Sequence, residues 1–392
     1  MDKSKVPPAG EAGKSTRQKA RLPARQAKFF QICRTSKKSG ARLGVLHTSH
    51  GDVETPAFVP VATKGTLKAV PPRDMRELGT QIAFVNAYHL ALSPGIDVLK
   101  KFGGVHAYAN ITIPLMSDSG GFQVFSLAGK KHALSREGGE SLVQTIGEEG
   151  VRFRSLKDGS DILFSPELSI RRQEAIGADI MMAFDECVPN DATAEYAKVA
   201  TERTHRWLAR CIAAKRGDQA LYGVVQGGRY KTLREDSARV VASQPIEGVA
   251  IGGVSVGEGR EEMKKQVEWV LPFLPPEKPR HLLGVGTLED LEYFVGLGID
   301  TFDCVEPTRL ARHGVAYASR AKGFARLDLT SLAFLQDAKP IDAHCACYAC
   351  ASFSRSYVCH LLRERELLAY YLLTLHNLSF IHRHFATIRS RL

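Results

Sequence analysis

No stretch of the 392 residues reaches the roughly 18 consecutive apolar positions that a membrane-spanning helix needs. The first 28 residues also lack the apolar core of a secretory leader, so the chain is expected to be soluble and cytoplasmic. Cysteine is sparse. The eight residues (Cys33, Cys187, Cys211, Cys304, Cys345, Cys347, Cys350, Cys359) are too unevenly spaced for the bridge framework of a small secreted domain. Acidic residues are outnumbered, 42 to 53, leaving a formal net charge of +11 that favours a polyanionic partner without saying which. What is present is enough apolar residue, 44%, to bury a large core.

Residues 1–27 combine Pro7, Pro8, Gly10 and Gly13 with scattered Lys and Arg and almost no large apolar side chain, as expected of a disordered basic arm. The arm is either inert or an accessory grip on nucleic acid. The folded body is expected over 28–392. Within it short apolar strands alternate with amphipathic stretches, the pattern of a parallel sheet with crossover helices. The expected strands are 81–86, 113–118, 179–185, 221–226, 248–253, 281–286 and one delivering Asp303, with helices over 193–215 and 260–271.

Nearly every strand ends on a polar residue or a glycine pair: Asn86, Asp118 before Gly120-Gly121, Asp185, Gln226 before Gly227-Gly228, Gly252-Gly253, Gly284 and Gly286, and Asp303. In a (β/α)8 TIM barrel the carboxyl ends of all strands open on one face and functional residues collect there, whereas an open doubly wound sheet gathers its ligand contacts at one switch point. The spread favours the barrel. Three glycine pairs suggest backbone that closely approaches a flat ligand.

Gly298-Ile299-Asp300 reads as a turn into the strand that presents Asp303, with Pro307 as its stop and Arg309 and Arg312 in a basic loop beyond. Taken alone, Asp303 could simply cap the next helix or pair with Arg309. With Asp118 and Asp185 on other strands, however, the set fits glycosidic-bond chemistry, in which one carboxylate attacks and another moves a proton. A third carboxylate, Asp185, can bind the N1–H and 2-amino group of a guanine, and Gln226 and the Gly253 N–H can serve its carbonyl oxygen. Structural aspartates at strand ends remain the alternative at this level.

The most specific motif lies near the C-terminus, where Cys345-Ala-Cys347-Tyr-Ala-Cys350 precedes His376 on an expected helix. Three thiolates and an imidazole form a closed set suited to one structural Zn2+, with no open position for catalysis. Cys359, His344 and His360 are alternative ligands. Tyr357, Leu361, Leu368, Leu372 and Leu375 are read as the apolar stripe of one intervening helix, placing the metal subdomain at about 335–392.

From about Phe29 onward the chain resembles the tRNA-guanine transglycosylases. The resemblance rests on Asn86–Leu90, Ser117-Asp-Ser-Gly-Gly-Phe-Gln123, Phe184-Asp-Glu-Cys187, Val225–Gly228, Ile251–Glu258, Leu283–Gly286, Phe302–Arg309 and the Cys3His set. It implies a zinc-bearing TIM-barrel enzyme of queuosine modification that exchanges guanine at the anticodon wobble position for a 7-deazaguanine. The implied partners are the GUN-anticodon tRNAs for Asp, Asn, His and Tyr. Asp303 would be the nucleophile, forming a covalent tRNA intermediate, and Asp118 the general acid/base. Asp185, Gln226 and Gly253 would hold the base, with Phe122, Cys187 and Val256 lining the pocket, and Arg309, Leu310, Ala311 and Arg312 would meet tRNA. A homodimer is implied, with the zinc region near the contact.

Several features depart from the family pattern. Glu306 stands where relatives usually carry an apolar residue, the connection from 126 to 147 is long, and the basic arm is extra. Val256 resembles bacterial members, whereas eukaryotic catalytic subunits usually have glycine there. A side chain at that point implies 7-aminomethyl-7-deazaguanine rather than queuine as the incoming base. The rival readings are a non-catalytic tRNA-binding subunit, an archaeal-type enzyme and a sugar glycosidase. The paired carboxylates, the early end of the chain after the zinc helix, and the glycine pairs with the basic surface count against each in turn.

Overall fold

The computed structural model describes residues 28–121, 143–154 and 159–392. Eight parallel strands form its centre: β1 (Ala57–Pro60), β2 (Ala83–Val85), β3 (Leu115–Ser117), β4 (Ile180–Met182), β5 (Ala220–Val225), β6 (Gly248–Ile251), β7 (Arg280–Leu282) and β8 (Thr301–Cys304). They pair in sequence order from β2 to β8, and β8 pairs back onto β1 with Asp303 opposite Val59. A parallel bridge between Val61 and Phe84, with the Ala62 N–H donating to the Phe84 carbonyl at 2.7 Å, closes β1 onto β2. The sheet is a barrel.

Side chains alternate across each strand, so residue parity decides which core they join. Ala57, Val59, Phe84, Met116, Ile180, Met182, Tyr222, Val224 and Ala250 fill the interior. Phe58, Val85, Leu115, Met181, Leu221, Val225, Val249, Ile251 and Phe302 face outward into the layer between barrel and helices. A three-stranded antiparallel sheet (Phe30–Thr35, Arg42–Thr48, Gly51–Thr55) packs Phe30, Leu46 and Val53 against the interior cluster. It is tied to the amino end of β8 by the buried pair Arg42–Asp300, at 2.8 and 2.6 Å.

The structure bears out the strands expected from 81 onward, all but the Asp303 strand somewhat shorter at the carboxyl end, and the helices Ala194–Ala214, with Trp207 and Leu208 buried, and Arg260–Val270. Strand β1 has no counterpart in the sequence reading. Pro56 and Pro60 bracket it, and proline normally argues against a central strand. The expected apolar stripe over 357–375 is corrected. Two helices, Arg355–Arg363 and Leu367–Arg391, meet at Arg365, whose φ of 58° is left-handed, and Tyr357 and Leu368 are exposed. Arg309 and Arg312 lie on a helix, Glu306–Arg312, rather than in a loop, and Pro307 opens that helix instead of merely ending the strand. Most of the long connection after 126, and the whole basic arm, lie outside the described residues.

Candidate functional site

The carboxyl ends of all eight strands line one cavity of about 580 Å³. Val61 and Thr63 follow β1, Asn86 and His89 follow β2, Asp118 and Ser119 follow β3, and Asp185 and Cys187 follow β4. Gln226 follows β5, Gly252 to Val256 follow β6, Gly284 and Thr287 follow β7, and Asp303, Glu306 and Arg309 come from β8 and its helix. Of the expected site residues, Asp303, Asp118, Asp185, Gln226, Gly253, Cys187, Val256 and Arg309 therefore share one space. Phe122 lies outside the described residues.

Asp303 neither caps the following helix, whose cap is Val305, nor pairs with Arg309. Its Oδ1 accepts from the Gly284 N–H at 2.8 Å and from His281 Nε2 at 3.2 Å. Asp118 is held by both oxygens: Oδ2 accepts from the Asn86 side-chain amide and Oδ1 from the Ala87 N–H at 2.7 Å. Asn86 in turn accepts the His89 N–H at 2.9 Å, so the short helix Ala87–Leu90 is capped by the residue that steers Asp118. Two carboxylates on non-adjacent strands, each with fixed donors, thus face a common cavity.

Asp185 takes Gln226 Nε2 on Oδ2 at 2.7 Å and Ser119 Oγ on Oδ1 at 3.0 Å. Burial pushes its carboxyl up to about 6, against the pull of those two donors. One N–H of the Gln226 amide is thus given to Asp185, and its Oε1 is buried with no hydrogen-bond partner among the described residues.

The glycine pairs also have a cause in this chain's own packing, beside the one the sequence suggested. A Cβ on Gly253 (φ +61°) would stand 2.3 Å from Gln226 Oε1, and one on Gly227 would stand 2.6 Å from the Arg234 backbone nitrogen. A Cβ on Gly121 would meet the Asp185 carbonyl at 2.5 Å. In each pair the close neighbour is this chain's own packing, not only a ligand.

Arg234 was missed by the sequence reading. It is wholly buried on the helix Lys231–Ala242 and donates from Nε to the Gly228 carbonyl at 2.6 Å. It also donates to the carbonyls of Gly252 at 3.1 Å and Gly253 at 2.5 Å, and to Gln266 Oε1 at 3.2 Å. One side chain therefore holds the glycine turns of two neighbouring strands. Burial lowers its guanidinium to about 10, still charged at neutral pH.

Glu258 accepts the backbone N–H groups of Ser255 and, at 2.9 Å, Val256, fixing the turn that brings Val256 to the cavity wall. Cys187 is buried, and burial raises its thiol above its ordinary range, so it lines the wall as a neutral group. Glu306 is buried with Oε1 on Arg326 at 2.8 Å, and its Oε2 has no hydrogen-bond partner among the described residues. Arg309 and Arg312 point to solvent and Leu310 is half-buried, but Ala311 is fully buried. Ala311 is buried because this helix packs that face inward.

Cys345, Cys347, Cys350 and His376 form a group whose ligand atoms lie within 4.8 Å of one another, which could hold one metal ion. His376 turns Nδ1 to Cys350 and Cys347 at 3.2 and 3.6 Å, and Nε2 to the Tyr317 carbonyl at 2.7 Å. An outer hydrogen bond of this kind fixes the ring of a ligating histidine. The alternative ligands fall away: His344 and His360 are exposed, and Cys359 donates to the Ser331 carbonyl. His50, His106 and Asp179 form a second cluster at the amino end of β4, but its two rings stack 3.5 Å apart and Asp179 already accepts the Leu115 N–H.

The family model described as queuine tRNA-ribosyltransferase matches residues 36–392. The chain belongs to that family. A queuine tRNA-ribosyltransferase of Synechococcus elongatus is 48% identical over 92% of this chain and 90% of its own length. Proteins of the same name from Staphylococcus epidermidis and Pelotomaculum thermopropionicum are 45% and 44% identical over 90% and 92% of this chain, covering 89% and 93% of their own lengths. The family is one of pentosyltransferases that act on tRNA, the class of reaction that paired carboxylates over a deep cavity can perform. No helix among the described residues is long and apolar enough to cross a membrane.

Proposed function

We propose that this chain exchanges guanine at the wobble position of GUN-anticodon tRNAs for a 7-deazaguanine, through a covalent aspartyl–tRNA intermediate. The observation that carries this reading is the pairing of Asp303 and Asp118 on one cavity, each oriented by fixed donors. Asp303 Oδ2 attacks the ribose C1′ as the C1′–N9 bond breaks. The electron pair leaves with guanine N9, and Asp118 handles the proton gained there. The incoming base reverses these steps and frees Asp303.

Asp185, once ionised, is an acceptor for the base N1–H and 2-amino group. Gln226 holds that carboxylate in place, and the Gly253 N–H serves the carbonyl oxygen. Val256 stands in the cavity wall, which favours the small aminomethyl base over queuine with its cyclopentenediol. A competition assay with both bases tests this: Val256→Gly should move the preference toward queuine, and a wild type that already prefers queuine would overturn the assignment. Phe122 is proposed as a further wall of the base site, and Arg309, Arg312 and the edge of Leu310 as contacts to tRNA.

One Zn2+ would be held by Cys345, Cys347, Cys350 and His376. Three thiolates and an imidazole suit that ion and leave no position open, so its part is structural. A homodimer is proposed on the exposed apolar side chains gathered between 332 and 368, namely Leu332, Leu335, Tyr348, Tyr357, Leu367 and Leu368. The basic arm over 1–27 is proposed as a separate unit from the barrel and its metal subdomain, and the protein as cytoplasmic, where its tRNA is. Labelled guanine and GUN tRNA test the function itself: incorporation of label supports it, and tRNA binding without incorporation would make the chain a non-catalytic subunit.

A further inference from the structure

His281 is the middle residue of β7, wholly buried, and pairs in register with Thr301 of β8. Its ring is constrained in three ways. It stacks on Phe84 with centroids 5.8 Å apart and planes 15° from parallel. Nδ1 lies 2.9 Å from Thr301 Oγ1, and Nε2 lies 3.2 Å from Asp303 Oδ1. An ionised carboxylate only accepts, so Nε2 carries the proton, and in the neutral ring Nδ1 accepts from the threonine hydroxyl. The Gly284 N–H donates to the same Oδ1. Both donors therefore fall on one oxygen of Asp303, and among the described residues no hydrogen bond reaches Oδ2.

Resting on the glycosyl-exchange reading above, we propose that His281 is a positioning residue that makes Oδ2 the attacking oxygen and Asp303 a good leaving group. In the first step the Oδ2–C1′ bond forms, the C1′–N9 bond breaks, and Oδ1 becomes the carbonyl of an ester. In the second step N9 of the incoming base attacks C1′, the C1′–Oδ2 bond breaks, its electron pair returns to the carboxylate, and the N9 proton passes to Asp118. A hydrogen bond to a charged carboxylate is roughly twice as strong as one to a neutral carbonyl. The His281 donor therefore favours free Asp303 over the ester and drives the second step. Removing it should leave more enzyme trapped on tRNA while turnover falls. A side chain that only packed the barrel would lower both together.

The experiment compares wild type, His281→Phe and His281→Gln on GUN tRNA. It measures the covalent fraction on denaturing gels at fixed free guanine, the turnover of labelled guanine, and tRNA affinity by filter binding. His281→Phe is expected to raise the ratio of adduct to free enzyme about five- to tenfold, to lower turnover, and to leave tRNA affinity unchanged. His281→Gln, which can return an N–H near Oδ1, is expected to recover much of both effects. An adduct that falls in parallel with turnover, an unchanged turnover, or no recovery with glutamine would overturn the proposal. If His281→Phe does not fold, Thr301→Val decides: it removes the hydroxyl that fixes the ring and should shift the ratio in the same direction, and an unshifted ratio would overturn the proposal. A wild type that binds tRNA without forming any adduct would instead bring down the exchange reading on which this rests.

Discussion

Arg234 makes no ion pair among the described residues; its guanidinium is spent on the carbonyls of Gly228, Gly252 and Gly253 and on Gln266. Arg234→Met would bury those acceptors unsatisfied. It is expected to cost about 3 kcal/mol or more, read as a lowered midpoint in urea, and Arg234→Lys, a single donor centre, should recover little of it. Asp185 gives a prediction in pH. With its carboxyl at about 6 in the free protein, the ionised acceptor is lost as pH falls. Base affinity should be flat above pH 7 and weaken about tenfold per unit well below 6, and Asp185→Asn should abolish that dependence. Equal affinity at pH 5 and 7.5, measured by calorimetry, would contradict this. The aspartates were legible because each ends an apolar strand beside a turn signal. Arg234 was not: flanked by Lys231, Glu235 and Asp236, it reads as one more charge on a solvated helix face, and only the helix's rotation shows that it points inward. His281 opens the expected strand 281–286, and only the pairing of that strand with the one carrying Asp303 shows that its ring reaches the carboxylate.

At the scale of elements, the C-terminal helix Leu367–Arg391 joins the Cys3His group to the strand that carries Asp303. Its Phe385 meets Phe58 of β1 and Phe302 of β8, with ring centroids 6.3 and 5.7 Å apart, so the helix covers the closing seam of the barrel. Adjacent residues do two jobs. His376 belongs to the Cys3His group, and Asn377 Nδ2 donates to the Pro307 and Val315 carbonyls, each at 3.0 Å, while its Oδ1 accepts the Tyr317 N–H at 3.0 Å. Loosening the metal group should therefore loosen the backbone just after Asp303. Chelation, or Cys350→Ser, is expected to lower the melting temperature on the order of 10 °C and to remove exchange activity with it. Full activity in metal-free protein would argue against this coupling. The alternation of apolar strand and amphipathic helix made most of the barrel readable. Strand β1 escaped because its prolines mimic a loop, and the break at Arg365 escaped because nothing in the sequence marks the left-handed turn there.

At the scale of the molecule, the apolar exposure between 332 and 368 and the basic charge make separate predictions. Light scattering at micromolar concentration should report a dimer, and Leu367→Glu, at a side chain 81% exposed, should shift it toward monomer without lowering its melting temperature. A wild-type monomer would count against the interface. Binding of tRNA should weaken steeply with salt for wild type, and less steeply when Arg309 and Arg312 are both replaced by alanine, by about one contact's worth of slope each.

The most direct test of the central claim is to trap the intermediate. Wild type and Asp303→Ala are incubated with GUN tRNA, denatured, and resolved on a gel before and after addition of a deazaguanine. Wild type should carry tRNA covalently and release it, now bearing the new base, when the deazaguanine is added, while Asp303→Ala binds tRNA but forms no adduct. Adduct on the alanine variant, or none on an active wild type, would contradict Asp303 as the nucleophile.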